Sequence, residues 1–357
     1  MDRRRFVGTT LSSLAGIFAL SKNLIADETP KITTDSSDEF IKPKFLMPGD
    51  TIGIIAPSTA VTDPDDIRRA KEVLEYFGLK YKLGEHVLHG TGYKTRSIEE
   101  RVSDLHAAFM DDEVRAVVAI RGGYGAPQLL DSIDYDLIKK HPKILIGYSD
   151  VTSLLLAIHK YSGLVTFHGP ILLSAFSNYT IGYFKKALFS TNPIGITENA
   201  KDKNIFREVF PVRTVVPGKA SGRLVGGNLT LVCNSLGTPY EIDTKGKIFF
   251  IEDVGEEPYR IDRMLTQLRL ANKFNDASGI IVGYCKECGY DGLNTSRTFD
   301  QSLGEIVDNI FTKCNKPTIY GLTIGHTTNQ LTLPLGVMAE LDADSKILNI
   351  TEAGVTA

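Results

Sequence analysis

The residues best placed for chemistry lie where the apolar run Lys143-Ile-Leu-Ile146 stops at Gly147-Tyr-Ser-Asp150 and a helical apolar pattern starts at Val151. This is a strand-to-helix turn with Ser149 at its tip. Such a turn holds a hydroxyl clear of its own backbone and aims helix N-terminal N–H groups at whatever the hydroxyl attacks. Taken by itself the turn reads as a helix cap, since Ser and Asp satisfy free N–H groups at helix starts. A nucleophilic role needs more: a base within hydrogen-bond reach and an acid that orients the base.

Seven histidines could supply the base. His106 and His159 fall among apolar neighbours on predicted helices, and His86, His89 and His141 lie in polar loops. Two candidates remain. His168, in Phe167-His-Gly-Pro170, follows a short β run, and His326 closes Gly321-Leu-Thr-Ile-Gly-His326, where Gly325 frees the adjoining backbone. For the acid, Lys247-Ile-Phe-Phe-Ile-Glu252-Asp253 ends a strand in paired carboxylates, a residue type that is usually just solvated. A Gly-rich loop, Arg121-Gly-Gly-Tyr-Gly125, offers backbone N–H groups that a ligand can approach closely because no Cβ intrudes. It lacks the spacing and the lysine of a phosphate-binding loop.

These residues need elements to hold them. Apolar strands at 51–56, 114–120 and 144–146 alternate with helical patterns at 64–77, 97–109, 126–133 and 151–161. The alternation predicts an α/β domain over 45–190, a parallel sheet covered by helices on both faces. Ligands in such sheets bind at the carboxyl ends of the strands, and the exits at 57–59, 121–125 and 147–150 are rich in Gly, Ser and Pro. The stretch 191–214 reads as a linker. Residues 215–357 read as a β-rich domain, with strands at 247–251, 279–282, 319–322, 330–333, 337–341 and 346–350 and helices at 228–236, 259–274 and 303–311.

At 357 residues, 42% hydrophobic and 23% charged, the chain has the composition of a soluble globular protein with room for two domains. A net charge of −3 without a Lys/Arg stripe argues against nucleic acid as the main partner. No stretch of the body is apolar for the length of a membrane span. The N-terminus differs: Arg3-Arg4-Arg5-Phe6 precedes an apolar stretch to Leu20, with Ala26 as a cleavage residue. Residues 1–26 therefore read as an export signal of the twin-arginine kind, implying a periplasmic location, and 27–44 as a disordered spacer. Of four cysteines, Cys285-Lys-Glu-Cys288 has the spacing of half a zinc site or of a redox pair. No second such pair accompanies it, so no metal is expected, and an oxidising compartment would allow a local disulfide.

Together, Arg121-Gly-Gly-Tyr-Gly125, Gly147-Tyr-Ser-Asp150, Gly226-Gly-Asn228, Glu252-Asp253 with Tyr259 and Asp262-Arg263, and Gly325-His326 resemble, in that order, the LD-carboxypeptidase family of serine peptidases. The resemblance spans about residues 45–350. It implies a flavodoxin-like N-terminal layer and a C-terminal β-rich, barrel-like domain, with the site in the cleft between them. It also implies Ser149 as nucleophile, His326 as base and Glu252 as the orienting acid. The N–H groups of Asp150 and Gly123 would form the oxyanion hole, and closure of the two domains would assemble the site. The implied substrate is a murein tetrapeptide of the cell-wall peptidoglycan, cut at the L,D-bond that releases its terminal D-Ala, with no cofactor and with a homodimer as the assembly. From charge and position alone, Arg121 would face the substrate's carboxylate and Glu256 its ammonium group. Val151 stands where G-x-S-x-G would have its last Gly, which argues against an α/β-hydrolase. Two alternatives stand beside this reading: an amide hydrolase acting on a peptide-nucleotide antibiotic, which the export signal disfavours, and a non-catalytic exported ligand-binding protein.

Overall fold

The computed structural model describes residues 40–88, 96–201, 210–289 and 301–357; the expected export segment 1–26, most of the spacer and His89 lie outside them. Residues 40–357 form one compact unit. Its first sheet is built from β1 (Thr51–Ile55), β2 (Lys80–Leu83), β3 (Val114–Ala119), β4 (Ile144–Gly147) and β5 (Phe167–His168). All four pairings are parallel, in the spatial order β5-β4-β3-β1-β2. This is the flavodoxin-like order, whose ligand crevice lies where the winding reverses between β1 and β3. The central strands carry no polar alternation because both of their faces are buried. β2 is mostly exposed at the sheet edge, and its Lys-Tyr-Lys-Leu sequence gives no strand signal.

The helices start where side chains can satisfy their first N–H groups. Asp63 caps α1 (Pro64–Tyr76), and Pro64 occupies the first turn, where its missing N–H costs nothing. Ser97 and Glu100 form the expected capping box of α2 (Ile98–Met110), which buries Val102, Leu105 and Phe109. α3 (Tyr135–Lys140) follows, and the predicted helix at 126–133 is a 3₁₀ segment, Ala126–Ser132. α4 (Thr152–Ser162) is almost wholly buried and ends at Gly163 in the left-handed region. α5 (Asn178–Leu188) completes this half.

The second sheet has eight strands: β6 (Gly195–Thr197), β7 (Arg213–Val216), β8 (Lys219–Asn228), β9 (Ile248–Glu252), β10 (Gly279–Gly283), β11 (Thr318–Leu322), β13 (Met338–Asp342) and β14 (Ile347–Ile350). Their order is β6-β14-β13-β8-β9-β10-β11-β7, with a parallel core from β8 to β11 and antiparallel flanks. α6 (Leu229–Asn234) and α7 (Pro258–Leu270) follow β8 and β9.

Several expectations need correction. The stretch 191–214 is not a bare linker: it contributes β6 and the first residues of β7 to the edges of the second sheet. Residues 40–44 of the expected disordered spacer pack on the body, through bridges from Ile41 to Leu164 and from Lys44 to Thr356. The helix read over 259–274 breaks at Asn272, which adopts φ +60°, before the short α8 (Lys273–Asp276). The strand read at 330–333 is β12 (Leu333–Pro334), and it pairs antiparallel with β5 in the first sheet. The chain therefore crosses back to complete the sheet of its first half.

Candidate active site

Ser149 sits where the sequence suggested, on the turn between β4 and α4, and its backbone has φ +61°. A left-handed conformation costs a non-glycine residue roughly 1–2 kcal/mol. The surroundings impose it. Tyr148 is fully extended, and a short 3₁₀ turn, Ser149–Val151, precedes α4. A Cβ on Gly147 would lie 2.5 Å from Val151 Cγ1, so only glycine allows a turn this tight.

The Asp150 carboxylate is buried and accepts hydrogen bonds from Ser58 Oγ at 2.6 Å and from the Ala126 N–H at 2.7 Å. It is thus turned into the protein, and only its backbone N–H could serve an oxyanion. Those bonds tie the exits of β1, β3 and β4 together. Arg101, also buried, adds a clamp: Nη1 donates to the Pro57 and Gly125 carbonyls, both at 2.9 Å. The Tyr124 N–H donates to Thr59 Oγ1 at 3.1 Å. Gly123, with φ +121°, sits so close to Thr59 that a Cβ would lie 2.0 Å from that hydroxyl. Arg101 escaped attention in the sequence, although its spacing from Ile98, Val102 and Leu105 put it on the buried face of α2.

From the second sheet, β9 delivers Glu252, which is fully buried. Its Oε2 accepts from His326 Nδ1 at 2.8 Å and from the His326 backbone N–H at 3.3 Å. Asn228 Nδ2 donates to Glu252 Oε1 at 3.4 Å and to Asp253 Oδ1 at 3.1 Å. Burial opposes charge on Glu252, but the hydrogen bond and charge of His326 outweigh it and hold its pKa below the usual carboxylate value. For Asp253 the balance reverses: burial, then the neighbouring Glu252, push its pKa up. Gly325 makes the His326 contact possible, since a Cβ there would lie 2.0 Å from Glu252 Oε2.

Ser149 and His326 line one cleft of about 350 Å³, together with Asp66, Arg121, Gly122, Gly123, Tyr148, Ile171 and Leu173. With Nδ1 engaged by Glu252, His326 keeps Nε2 for the cleft, and the Tyr148 ring packs edge-on against it at 4.8 Å between centroids. The two halves already touch here: the Asn228 N–H donates to Thr152 Oγ1 at 3.2 Å, and Gly227 leaves no room for a Cβ against Thr152. The cleft is therefore formed within one compact unit.

His168, the other candidate base, is fully buried on β5, and neither ring nitrogen has a hydrogen-bond partner among the described residues. Burial drives its pKa down to about 4, which keeps it neutral; its ring packs against Phe250, and it is not among the residues lining the cleft. Arg121 lines the cleft as expected. Glu256 is not among the lining residues, and its carboxylate lies 3.8 Å from Arg260. The carboxylate that does line the cleft is Asp66, in the first turn of α1, where an acidic residue is ordinary and draws no notice. Among the described residues no group of three or more His, Cys, Asp or Glu could hold a metal ion, and no helix is long and apolar enough to cross a membrane.

Comparison with known proteins finds matches over most of the chain. Residues 52–169 match the LD-carboxypeptidase N-terminal domain and residues 221–341 the LD-carboxypeptidase C-terminal domain. A probable murein peptide carboxypeptidase of Bacillus subtilis (strain 168) is 42% identical over 319 residues, 88% of this chain and 95% of that protein. The murein tetrapeptide carboxypeptidase of Pseudomonas aeruginosa is 31% identical over 304 residues, 82% of this chain and 93% of that one. Among solved structures, the microcin C7 self-immunity protein MccF in its apo state superposes with a TM-score of 0.79 at 28% identity, covering 88% of this chain and 100% of that chain.

Proposed function

The chain belongs to the LD-carboxypeptidase family of serine-type peptidases, and from that premise we propose that it hydrolyses the L,D-peptide bond releasing the terminal D-Ala of murein tetrapeptides through an acyl-enzyme on Ser149. The observation that carries this reading is the bond from half-buried His326 to fully buried Glu252, with His326 lining the same cleft as Ser149, a half-buried serine held at a positive φ.

In this mechanism His326 Nε2 takes the Ser149 proton while Glu252 fixes the imidazole through Nδ1 and stabilises the imidazolium. Ser149 Oγ attacks the carbonyl carbon, and the oxyanion is met by the N–H groups of Asp150 and Gly123, each worth roughly 3–4 kcal/mol if removed. His326 then returns the proton to the leaving amine, D-Ala departs, and water, activated by the same histidine, hydrolyses the ester. Arg121 is the cationic side chain of the cleft and suits the terminal carboxylate. For the ammonium group of a dibasic third residue, Asp66 on the cleft wall competes with Glu256 beyond it. The 42% identity to a protein named for murein peptides favours this substrate over the peptide-nucleotide amide suggested by likeness to MccF. Export through residues 1–26, also proposed, would bring the enzyme to wall murein; homodimerisation is the assembly proposed.

Incubating the protein with defined murein tri-, tetra- and pentapeptides and weighing the products tests the proposal. Only the tetrapeptide should lose D-Ala, and Ser149→Ala should lower its turnover on the order of 10⁴-fold or more. An intact tetrapeptide beside a cleaved aminoacyl-nucleotide amide would overturn the substrate. In the same assay Asp66→Asn should raise KM more than Glu256→Gln does; the reverse order restores Glu256 as the ammonium partner.

A further inference from the structure

The cleft that holds Ser149 and His326 does not end at Leu173. A second hollow of about 400 Å³ adjoins it, between α1 and the stretch 172–181, and Leu173 lines both spaces. Asp66 lines the cleft and Arg69, one turn further along α1, lines the hollow; their side chains pair at 3.4 Å. Ser174 Oγ, in the hollow, donates at 3.5 Å to the hydroxyl of Tyr148, the cleft residue that packs against His326. The shared wall is fixed in place. The Leu172 and Leu173 N–H groups donate to the Ala119 and Ile120 carbonyls at 3.4 and 3.3 Å, and the Ser174 N–H donates to the Ile171 carbonyl at 2.9 Å. The two spaces thus form one groove with the reacting groups at one end. The far end is of a different character: Val73, Phe77, Leu172 and Phe176 make it apolar, and Arg69 and Glu72 give it a polar edge. Tyr76 also lines it and is 61% exposed, a large ring left in water at the rim of a pocket.

We propose that this hollow is a subsite for the N-acetylated amino sugar that carries the stem peptide at its amino end, with Tyr76 as the residue the sugar ring lies on. The proposal rests on the carboxypeptidase reading. Its spacing follows from two rulers. Along α1, Val73 lies about 10 Å and Tyr76 about 15 Å beyond Asp66, at 1.5 Å per residue. With the ammonium of the third residue at Asp66, the two residues before it reach about 7 Å when extended. The group joined to the amino end therefore falls beside Val73 and Tyr76. Arg121, set against the terminal carboxylate, lies on the β3 exit, so the amino end leaves along the α1 wall. A sugar ring matches what lines the hollow. Its C–H faces lie on an aromatic side chain, its hydroxyls reach Arg69 and Glu72, and the N-acetyl methyl enters the apolar floor. A peptide segment would offer a carboxylate to Arg69 but no ring face to Tyr76.

The test titrates the full chain with N-acetylmuramyl-L-Ala-D-Glu, which lacks the bond to be cut, and with free L-Ala-D-Glu. The sugar-bearing ligand should bind on the order of tenfold more tightly, the worth of one stacked ring. Tyr76→Ala should erase that advantage and Tyr76→Phe should keep it; because Tyr76 is exposed, neither change touches the core. Equal binding of the two ligands, or an advantage that survives Tyr76→Ala, overturns the subsite and gives the hollow to the peptide. In turnover, a tetrapeptide carrying the sugar should show a KM on the order of tenfold below that of the free tetrapeptide at the same kcat, and Tyr76→Ala should bring the two KM values together. Equal KM values in the native protein refute the subsite and leave the carboxypeptidase reading standing. Sugar-dependent binding through Tyr76, with neither tetrapeptide cleaved, refutes that reading and leaves the hollow as a sugar site.

Discussion

The two sides of the cleft are made reactive in different ways. On the first sheet, Ser149 is prepared by backbone geometry: a left-handed φ of +61°, a Gly147 that admits the tight turn, and three loops tied together by Asp150, Ser58 and Arg101. On the second sheet, His326 is prepared by environment: a fully buried carboxylate, held charged by the imidazole it orients and braced by Asn228. A serine hydroxyl needs little electrostatic help to exist, but it must be lifted out of the chain. A histidine base needs no unusual backbone, but its tautomer and orientation must be fixed. Strain is stored on one side and desolvation on the other.

The largest consequence should appear on the electrostatic side. Glu252→Gln keeps the shape but removes the charge, and kcat on the tetrapeptide should fall on the order of 10⁴-fold at little change in KM. A loss below about tenfold would mean that Glu252 packs rather than orients. Next comes Gly325→Ala, which forces a Cβ into the left-handed region and against Glu252 Oε2. Urea unfolding should show a loss of about 4 kcal/mol, the sum of overpacking and the left-handed penalty; a neutral result would show the electrostatic side to be soft.

The seam between the two sides gives a pH effect. His168 is neutral when folded, with a pKa lowered from 6.5 to about 4 by burial. Its folded pKa is depressed, so its stability contribution is complete above pH 6.5 and is lost as pH falls toward 4. That amounts to about 3 kcal/mol across the window. His168→Leu should flatten the dependence of Tm on pH between 7 and 4.5, whatever it does to Tm itself. An unchanged slope would assign the acid sensitivity to other groups, such as His159, which is also buried. The smallest effect tests the strain. Ser149→Gly should be more stable than Ser149→Ala by about 1 kcal/mol, because only glycine relaxes a positive φ; equal stabilities would remove the backbone half of the comparison.

Much of this was legible in the chain. The three loops at the strand exits stood out by their Gly, Ser and Pro content, and Glu252 and Gly325-His326 each ended an apolar run. What stayed hidden depends on relations that a linear pattern does not carry. β2 is an exposed edge strand, so no apolar run marks it. β12 pairs with a strand nearly half the chain away, and two residues are too short a signal to assign to a sheet. Asp66 and Arg101 look like a helix-start acid and a surface arginine until the fold turns one into the cleft and buries the other. Glu256 was chosen for charge and nearness in sequence to Glu252, but a strand end followed by a loop can carry a side chain away within four residues. From the residues alone His168 and His326 were both candidate bases; the family resemblance chose His326, and His168 is fully buried and absent from the cleft lining.

The return of β12 to the first sheet has a consequence for biosynthesis. A ribosome releases the nucleophile's half of the molecule long before residues 333–334 exist, so β5 waits with an open edge while the rest of the chain is made. Closing that edge must wait until the second sheet's strands β6 to β11 have been made. A second return contact follows: the Thr356 N–H donates to the Pro43 carbonyl and the Phe45 N–H to the Thr356 carbonyl, both at 2.9 Å. A later segment is thus stitched to an earlier one, and a chain terminated before residue 326 lacks this seam as well as its base.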